Sequence, residues 1–542
     1  MQLVKPLSRL YRFGVVKINE AERDRMKMPA MAPRPHDHPV LLIHPPAAKP
    51  SEPPAGLARL AGALADHGAP HRVVDANLEG MLRLLEKSDP GKDTWSRRAL
   101  MHRDRHLEAL RTPATYDSPD RYRRAVADLD RLLSRAGQAE GIRAGLANYT
   151  DAKLSPVRTD DLLAAAREPE RTPYFEYFSE YLLPQVERDD PAAVGISITY
   201  LSQALPAFAL IGLLRRERPG LKIIAGGGLV TSWLARSKWN EHLDRLVDQA
   251  VEGPGEPAVL AAAGGRAAEG HAPPEYSTFD RPAYLSPGFV LPFSTSDGCW
   301  WNRCTFCPER SEGRRFAPLP RQTVGEQLRS LVQTTSPSMI HLVDNAVPPA
   351  VLRELAEHPP GAPWYGFARI GEPLDDPGFC ERLAESGCRM LKLGLESGDQ
   401  AVLDALGKGV DLGAASRVLD NLRRAGITTY VYLLFGTPAE DRAAAERTFR
   451  FVLDQGEAIT FLNLAIFNLP LDSPEAEGLE LGEFYDGDLA LYSDFIHPRG
   501  WGRAEVRRFL DETFRKHSDT QAIIRRNPPR FTSNHAAFFS SH

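Results

Sequence analysis

Short, almost wholly apolar runs that end in small or polar residues recur along this chain, most of them followed by a segment whose leucines or alanines share one helical face. Such a run reads as a strand buried on both sides, and strands that alternate with helices become parallel neighbours joined by crossovers. The chain therefore falls in the α/β class. "HPVLLIHPP" opens the first series at His38. In "AGLARLAGALADHGAP" Leu57, Leu60 and Leu64 recur on one face, and Gly68 stops the helix before a second strand, "HRVVDAN". The rhythm returns in "AAVGISITY", "LPAFALIGLLRRERPG", "LKIIAGGGLVTS" and "LVDQAVEGPGEP". Residues 38–280 thus predict a doubly wound, Rossmann-like domain whose ligand crevice lies at the strands' C-terminal ends. Within it, residues of about 79–185 are charged and helical in character, "RYRRAVADLDRLLSRA" most clearly, and predict a helical insertion.

A proline-rich bridge, "APPEYSTFDRPAYLSPGF", sets a boundary near residue 280. Six further strand candidates follow: "LPFSTSDG", "SMIHLV", "WYGFARI", "RMLKLGLE", "ITTYVYLLFG" and "ITFLNLAIF", with helices such as "LGAASRVLDNLRRAG" between them. Six strand–helix units predict a partial (β/α)6 barrel over 281–475, with functional residues just after each strand. Residues 1–37 mix basic residues, methionines and prolines without periodicity and read as a loosely ordered extension. Residues 476–542 read as a small, mostly helical C-terminal region with a polar tail.

At 542 residues the chain exceeds what one hydrophobic core usually spans. Its 42% hydrophobic and 25% charged residues are the mix of a folded globular protein. A net charge of -5 and a pI of about 6.3 withhold the basic surface that non-specific nucleic-acid binding demands, so nucleic acid is not an expected partner. No run reaches the roughly 20 apolar residues of a membrane span, and the N-terminus lacks a signal peptide's apolar core. The expected location is the cytoplasm.

Three of the five cysteines fall within Cys299-Trp300-Trp301-Asn302-Arg303-Cys304-Thr305-Phe306-Cys307, a C-x4-C-x2-C spacing directly after a strand. Thiols set so close belong to a metal site in a reducing compartment rather than to a disulfide framework. Cys299, Cys304 and Cys307 can ligate three irons of a four-iron four-sulfur (4Fe-4S) cluster. A full cysteine set would be four, so one iron stays open to a chelating substrate. A structural zinc site would need a fourth ligand, and the nearest histidines, His271 and His341, lie roughly 30 residues away. A redox C-x2-C pair leaves Cys299 unexplained, and a plain electron-transfer cluster wants a fourth cysteine. Cys380 and Cys388, on or after a helix between barrel strands, read as buried core thiols.

The segment "GCWWNRCTFCPE" resembles the radical S-adenosylmethionine (SAM) superfamily, whose usual spacing is C-x3-C-x2-C with an aromatic residue before the third cysteine. Phe306 holds that place, and the first gap is one residue longer here. The resemblance implies SAM binding by Phe306. It also implies that Asp344 and Asn345, after the second barrel strand, contact the methionine amino group, and that Arg369, closing the third, pairs with the carboxylate. Glu396 and Ser397 after the fourth strand would meet the ribose, and Gly436 after the fifth the adenine. The chemistry implied is reductive cleavage of SAM to a 5'-deoxyadenosyl radical, with an external electron donor of the flavodoxin or ferredoxin type.

The N-terminal domain in turn resembles the cobalamin-binding domain of one branch of that superfamily. His44 and Pro45, the small-residue turn of Ser197 and Thr199, the glycine run Gly226, Gly227 and Gly228, and Glu252 and Gly253 of "EGPGEP" stand where that branch receives the corrin. The D-x-H-x-x-G signature that gives other cobalamin enzymes a cobalt histidine is absent, as is common among the branch's radical SAM members. The function implied is cobalamin-dependent methyl transfer to an unactivated carbon of a small-molecule or peptide substrate. Other readings are a radical SAM cyclase, rearrangement enzyme or other carbon-centred catalyst that transfers no methyl, and a Rossmann-like domain that has lost its ligand. A zinc-stabilised binding or scaffold protein is the reading from a different class.

Overall fold

Strand β1 (Val40–Ile43) buries all four of its side chains, because it lies in mid-sheet between β2 (His71–Val74) and β3 (Ala193–Ser197), parallel to both. The computed structural model describes residues 38–89, 91–265, 271–482, 486–531 and Phe538, so the extension read at 1–37 lies outside the described residues. Strands β4 (Ile223–Gly226) and β5 (Gln249–Ala250) complete a parallel sheet in the order β2-β1-β3-β4-β5. Helix α1 (Ala55–Asp66) joins β1 to β2, and α2 (Leu201–Glu217) joins β3 to β4. Helix α3 (Gly228–Ala235) follows β4, and α4 (Glu256–Ala262) follows β5. The winding direction reverses between β1 and β3, which is where a doubly wound sheet opens its crevice.

The segment between β2 and β3 is helical for the reason the sequence suggests. Helix Pro119–Ala136 buries Tyr122, Val126, Leu129 and Leu133, one stripe at helical spacing. It is not wholly helical, since Ile142–Ala144 and Tyr149–Asp151 form an antiparallel pair. The helix Thr159–Arg167 from this segment packs on α2 at Gly212, where a Cβ would stand 1.8 Å from the Ala166 carbonyl oxygen.

The second sheet is built of β6 (Val290–Phe293), β7 (Met339–Leu342), β8 (Trp364–Ala368), β9 (Cys388–Glu396), β10 (Thr428–Phe435) and β11 (Phe461–Ile466). They are all parallel and in sequential order. Helices α5 (Arg321–Thr335), α6 (Pro349–Glu357), α7 (Pro377–Glu385), α8 (Leu412–Arg424) and α9 (Arg442–Asp454) form its outer layer. Asp376, Asp411 and Asp441 cap α7, α8 and α9 by accepting from free backbone N–H groups of the first turn. Val290, Met339, Tyr365, Met390, Tyr430 and Phe461 form one inward layer, a residue from each strand. This is the side-chain layering of a (β/α) barrel, and β6 and β11 do not pair, so the barrel is partial. Cys380 and Cys388 are buried thiols in the core between these strands and their helices.

The C-terminal region is helical at Arg503–Phe509 and Ser518–Arg526, and it also contains a small antiparallel sheet of Leu469–Pro470, Tyr492–Phe495 and Leu481–Gly482. It runs back to the first domain, where the Trp233 indole donates to the Leu489 carbonyl (3.0 Å) and Asp488 accepts from the Thr159 N–H (2.9 Å). Among the described residues no helix is long and apolar enough to cross a membrane.

Gly212→Ala is expected to overpack the α2 contact, costing about 1–3 kcal/mol and lowering the thermal midpoint by several degrees. An unchanged melting temperature would show that the neighbouring helix yields freely.

Candidate functional site

The cysteine loop begins where β6 runs out. Asp344, buried just after β7, accepts from the Thr295 N–H (3.0 Å), the Thr295 hydroxyl (2.8 Å) and the Ser296 hydroxyl (2.7 Å). Burial raises its pKa. Asp344 thus bolts the start of the loop to the neighbouring strand, and among the described residues its Oδ2 accepts only from the Thr295 N–H. Ser296–Asp297 then pairs antiparallel with Ala317–Pro318. Gly298 follows at φ 73, with the Arg315 carbonyl 2.7 Å from where a Cβ would be, so no other residue fits.

Within the first gap Asn302 takes φ 43, a left-handed conformation that asparagine tolerates. Beyond it the loop lies on the turn that follows helix Gln400–Ala405. The Thr305 N–H donates to the Leu406 carbonyl (3.0 Å), and the Trp301 indole to the Gly407 carbonyl (3.0 Å). The Trp301 ring covers Gly409, where a Cβ would come within 2.2 Å of it.

Cys299, Cys304 and Cys307 are free, partly exposed thiols. Burial raises Cys304 and pushes Cys307 up to about 11. Iron would have to displace those protons, so cluster loading rises with pH. Among the described residues no three His, Cys, Asp or Glu side chains gather around one point as a single metal ion requires. A cubane spreads its thiolates over separate corners, and this donor set fits that group.

Three of the residues read as SAM-binding converge beside the cysteines, around Lys408. Its ammonium pairs with Glu396 (2.8 Å) and lies 5.8 Å from the Phe306 ring, while its carbonyl accepts from Arg369 (2.6 Å). The Arg369 guanidinium lies 3.9 Å from the Trp301 ring centroid and beside the Cys304 thiol. Asn345 is exposed at the barrel mouth.

Ser397 is fully buried; it bonds the Thr448 hydroxyl of α9 (3.2 Å) and accepts from the Asp399 N–H (3.1 Å). Gly436, at φ 81, donates its N–H to Glu440 (2.5 Å) and lies under Val506 and Trp501 of the C-terminal region.

The crevice of the first sheet opens into a cavity of about 730 Å³. Ser197, Gly226, Gly227, Gly228, Glu252 and Gly253 line one side, and Asp297, Gly298 and residues 312–315, which flank the cysteine loop, line the other. Gly253 has nothing within 4 Å of a would-be Cβ, so the wall stays open to a bulky ligand. Gly227 is required by the turn itself, at φ 97 with the Ile198 carbonyl 2.6 Å from its Cβ position.

His44, Pro45 and Thr199 do not line this cavity. His44 is buried, which lowers its pKa, and the Gln203 amide stands beside its ring. Gln203 also donates to the Pro45 carbonyl (2.6 Å) and accepts from the Thr199 N–H (2.8 Å), so one glutamine ties the three into the turn beneath the crevice.

Two features escaped the sequence reading. Arg59 of α1 bridges Glu256 and Asp297, each at 2.8 Å, and so clamps the first domain to the cysteine loop at the cavity wall. Inside the barrel, Lys392 is 1% exposed with its ammonium 3.1 Å from His341 Nε2, whose Nδ1 meets Glu52 (2.8 Å) from the loop after β1. Burial pushes Lys392 down to about 7. A lysine at an inward position of the otherwise apolar "RMLKLGLE" was the available signal; a glutamate 340 residues upstream of that strand's neighbourhood in the fold carried none. The pairing is settled only by the packing of the two domains.

The comparisons with known proteins accord with this arrangement. Residues 293–452 match the family model of the radical SAM superfamily. No curated protein matches the chain. Among solved structures it is similar to the radical SAM methyltransferase TsrM from Kitasatospora setae with tryptophan substrate and a SAM analogue bound. That match has a TM-score of 0.52 at 16% identity, over 90% of this chain and 89% of that one. The same enzyme with cobalamin and a 4Fe-4S cluster bound gives 0.50 at 17%, over 83% and 81%. OxsB, a cobalamin-dependent SAM radical enzyme with aqua-cobalamin bound, gives 0.50 at 14%, over 66% and 65%. At such identities the likeness is one of fold.

Glu440 makes the local electrostatics testable. One carboxylate oxygen accepts from Gly436 and from the Trp501 indole (2.9 Å); the other is buried with no hydrogen-bond partner among the described residues. Burial pushes its pKa from 4.5 up to about 7. The folded state therefore keeps a proton that the unfolded chain sheds, and stability falls as pH rises between those two values. Glu440→Gln should melt like the parent at the acid end of that window and several degrees higher above neutral pH. Equal melting temperatures above neutrality would contradict the assignment.

Proposed function

We propose that this chain, whose residues 293–452 form a radical SAM domain, is a cobalamin-dependent radical SAM methyltransferase acting on an unactivated carbon. The observation that carries the reading is the shared wall: one cavity is bounded by the glycine-rich strand ends of a doubly wound sheet and by the residues flanking a three-cysteine loop. Two cofactors brought to those surfaces would face each other across it.

When bound, the cluster supplies the electron that splits SAM to an adenosyl radical, and cobalamin supplies a carrier for the methyl group. The chain's own part is to hold and align. Cys299, Cys304 and Cys307 would ligate three irons and leave the fourth to SAM. Phe306, Glu396 and Asn345 stand at the barrel mouth to receive SAM, and Gly436 would meet the adenine after the fifth strand. Ser197, Gly226, Gly228, Glu252 and Gly253 form the corrin's side of the cavity, with no histidine among the lining residues to reach cobalt. The Arg59 clamp keeps the two walls in register, which is what a transfer between two bound groups needs.

Anaerobic reconstitution with iron, sulfide and hydroxocobalamin should yield four irons and close to one corrin per chain. Reductant and SAM should then release 5'-deoxyadenosine, and Cys304→Ala should abolish it. Protein that takes up iron and cleaves SAM but leaves corrin in the wash would overturn the cobalamin half of the proposal. A colourless, zinc-loaded protein would overturn all of it.

The burial of Ser397 gives a sharper test. Ser397→Ala should leave SAM affinity within about twofold of the parent and cost about 1 kcal/mol of stability from the lost hydrogen bonds. A tenfold loss of SAM affinity at unchanged stability would assign this hydroxyl to the ribose.

A further inference from the structure

The barrel mouth holds two cations, Arg369 and Lys408, and the structure treats them differently. Lys408 is neutralised by Glu396 at 2.8 Å. Arg369 has no carboxylate at ion-pair distance among the described residues. Its guanidinium is fixed by two other contacts, the Lys408 carbonyl that accepts from it at 2.6 Å and the Trp301 face against it at 3.9 Å, and the Cys304 thiol lies beside it. Trp301 is itself fixed by its indole bond to Gly407 and by the close seat on Gly409. This tryptophan belongs to the cysteine loop, so the loop carries its own platform for the cation.

A planar guanidinium on an aromatic face keeps its charge and its N–H donors in one orientation, which a flexible ammonium would not. A fixed positive charge beside an iron–sulfur cluster favours the more negative, reduced state. Trp300 and Trp301 also shield this side of the loop from water, and both lie within 5.6 Å of the guanidinium, so the charge is poorly screened there.

We propose that Arg369, stacked on Trp301 beside Cys304, is a positioning residue that raises the reduction potential of the cluster before SAM arrives. The inference rests on the functional reading above and revises the role expected from sequence. A pure ligand to the SAM carboxylate would be idle until SAM is bound, whereas this guanidinium is already held against the cysteine loop by the Trp301 face and the Lys408 carbonyl. In reaction terms it eases the uptake of one electron by the cluster from the external donor; no bond is made or broken at Arg369.

The test is the midpoint potential of the reconstituted cluster in the absence of SAM, followed by visible absorption and by the electron-spin resonance of the reduced form. Arg369→Gln, carrying full iron and sulfide, should shift the ratio of reduced to oxidised cluster at least tenfold toward oxidised at a fixed potential, a fall of 59 mV for one electron. Arg369→Lys should recover part of the shift, because the charge remains while the fork and stack are lost. Should Arg369→Gln fail to hold a cluster, Glu396→Gln gives the second reading: it unmasks Lys408 and should move the potential upward.

A fully loaded Arg369→Gln at the parental potential, with or without weaker SAM binding, overturns this inference and leaves the functional proposal standing. An unmoved potential in Glu396→Gln likewise overturns it. Parent protein that assembles no cluster removes the functional reading, and this inference with it.

Discussion

The Asp344 carboxylate is the constraint on which the site depends. It lies buried after one barrel strand and is consumed by two successive residues after the next strand over, Thr295 and Ser296. Removing a carboxylate from water is costly unless hydrogen bonds replace the water, so the two strand ends are held together by what the buried group demands. Three residues further on stands Cys299. The other side of the loop is held by the Leu406 to Gly409 turn, which accepts its backbone and seats its tryptophan. Between those two supports the thiols project from a loop whose backbone is fixed before any iron arrives, and only the thiol protons remain to be displaced.

The same loop closes the wall of the neighbouring cavity, so cluster placement and the ligand space of the first domain are one problem. Arg59 joins them directly, with one carboxylate from each side. Deeper in the barrel, Glu52 reaches from the first domain to His341, and through it to Lys392. Buried charges of this kind gain little stability over apolar packing, but removing one partner strands the other, which penalises any shift of the domains. Polar chemistry at this interface therefore specifies the relative placement of the two sheets rather than adding to their stability.

The alternation of apolar runs with amphipathic helices made the architecture legible. All eleven strand candidates are strands, in two parallel sheets. The cysteine loop was legible because thiol spacing is local. What the sequence could not show was the allocation of side chains. Asp344 and Ser397 stand after the right strands, and each bonds a neighbour, since a polar group at a strand end serves whichever donor or acceptor packing brings to it. His44 and Thr199 likewise follow the right strands, but Gln203, in a helix more than 150 residues after His44, turns them away from the cavity. The small pairings at Ile142–Ala144 and in the C-terminal region were hidden by their shortness, with two to four residues per strand and no period to detect. Arg59, Glu52 and Lys392 owe their partners to contacts between the domains, on which local pattern carries no information.

The account stands on three thiolates holding a cubane with one corner free. A Mössbauer spectrum of the iron-loaded protein, taken before and after adding SAM, addresses that arrangement directly. The account predicts one iron site distinct from the other three, whose signal alone moves when SAM binds. Four irons that respond alike, or not at all, would contradict it.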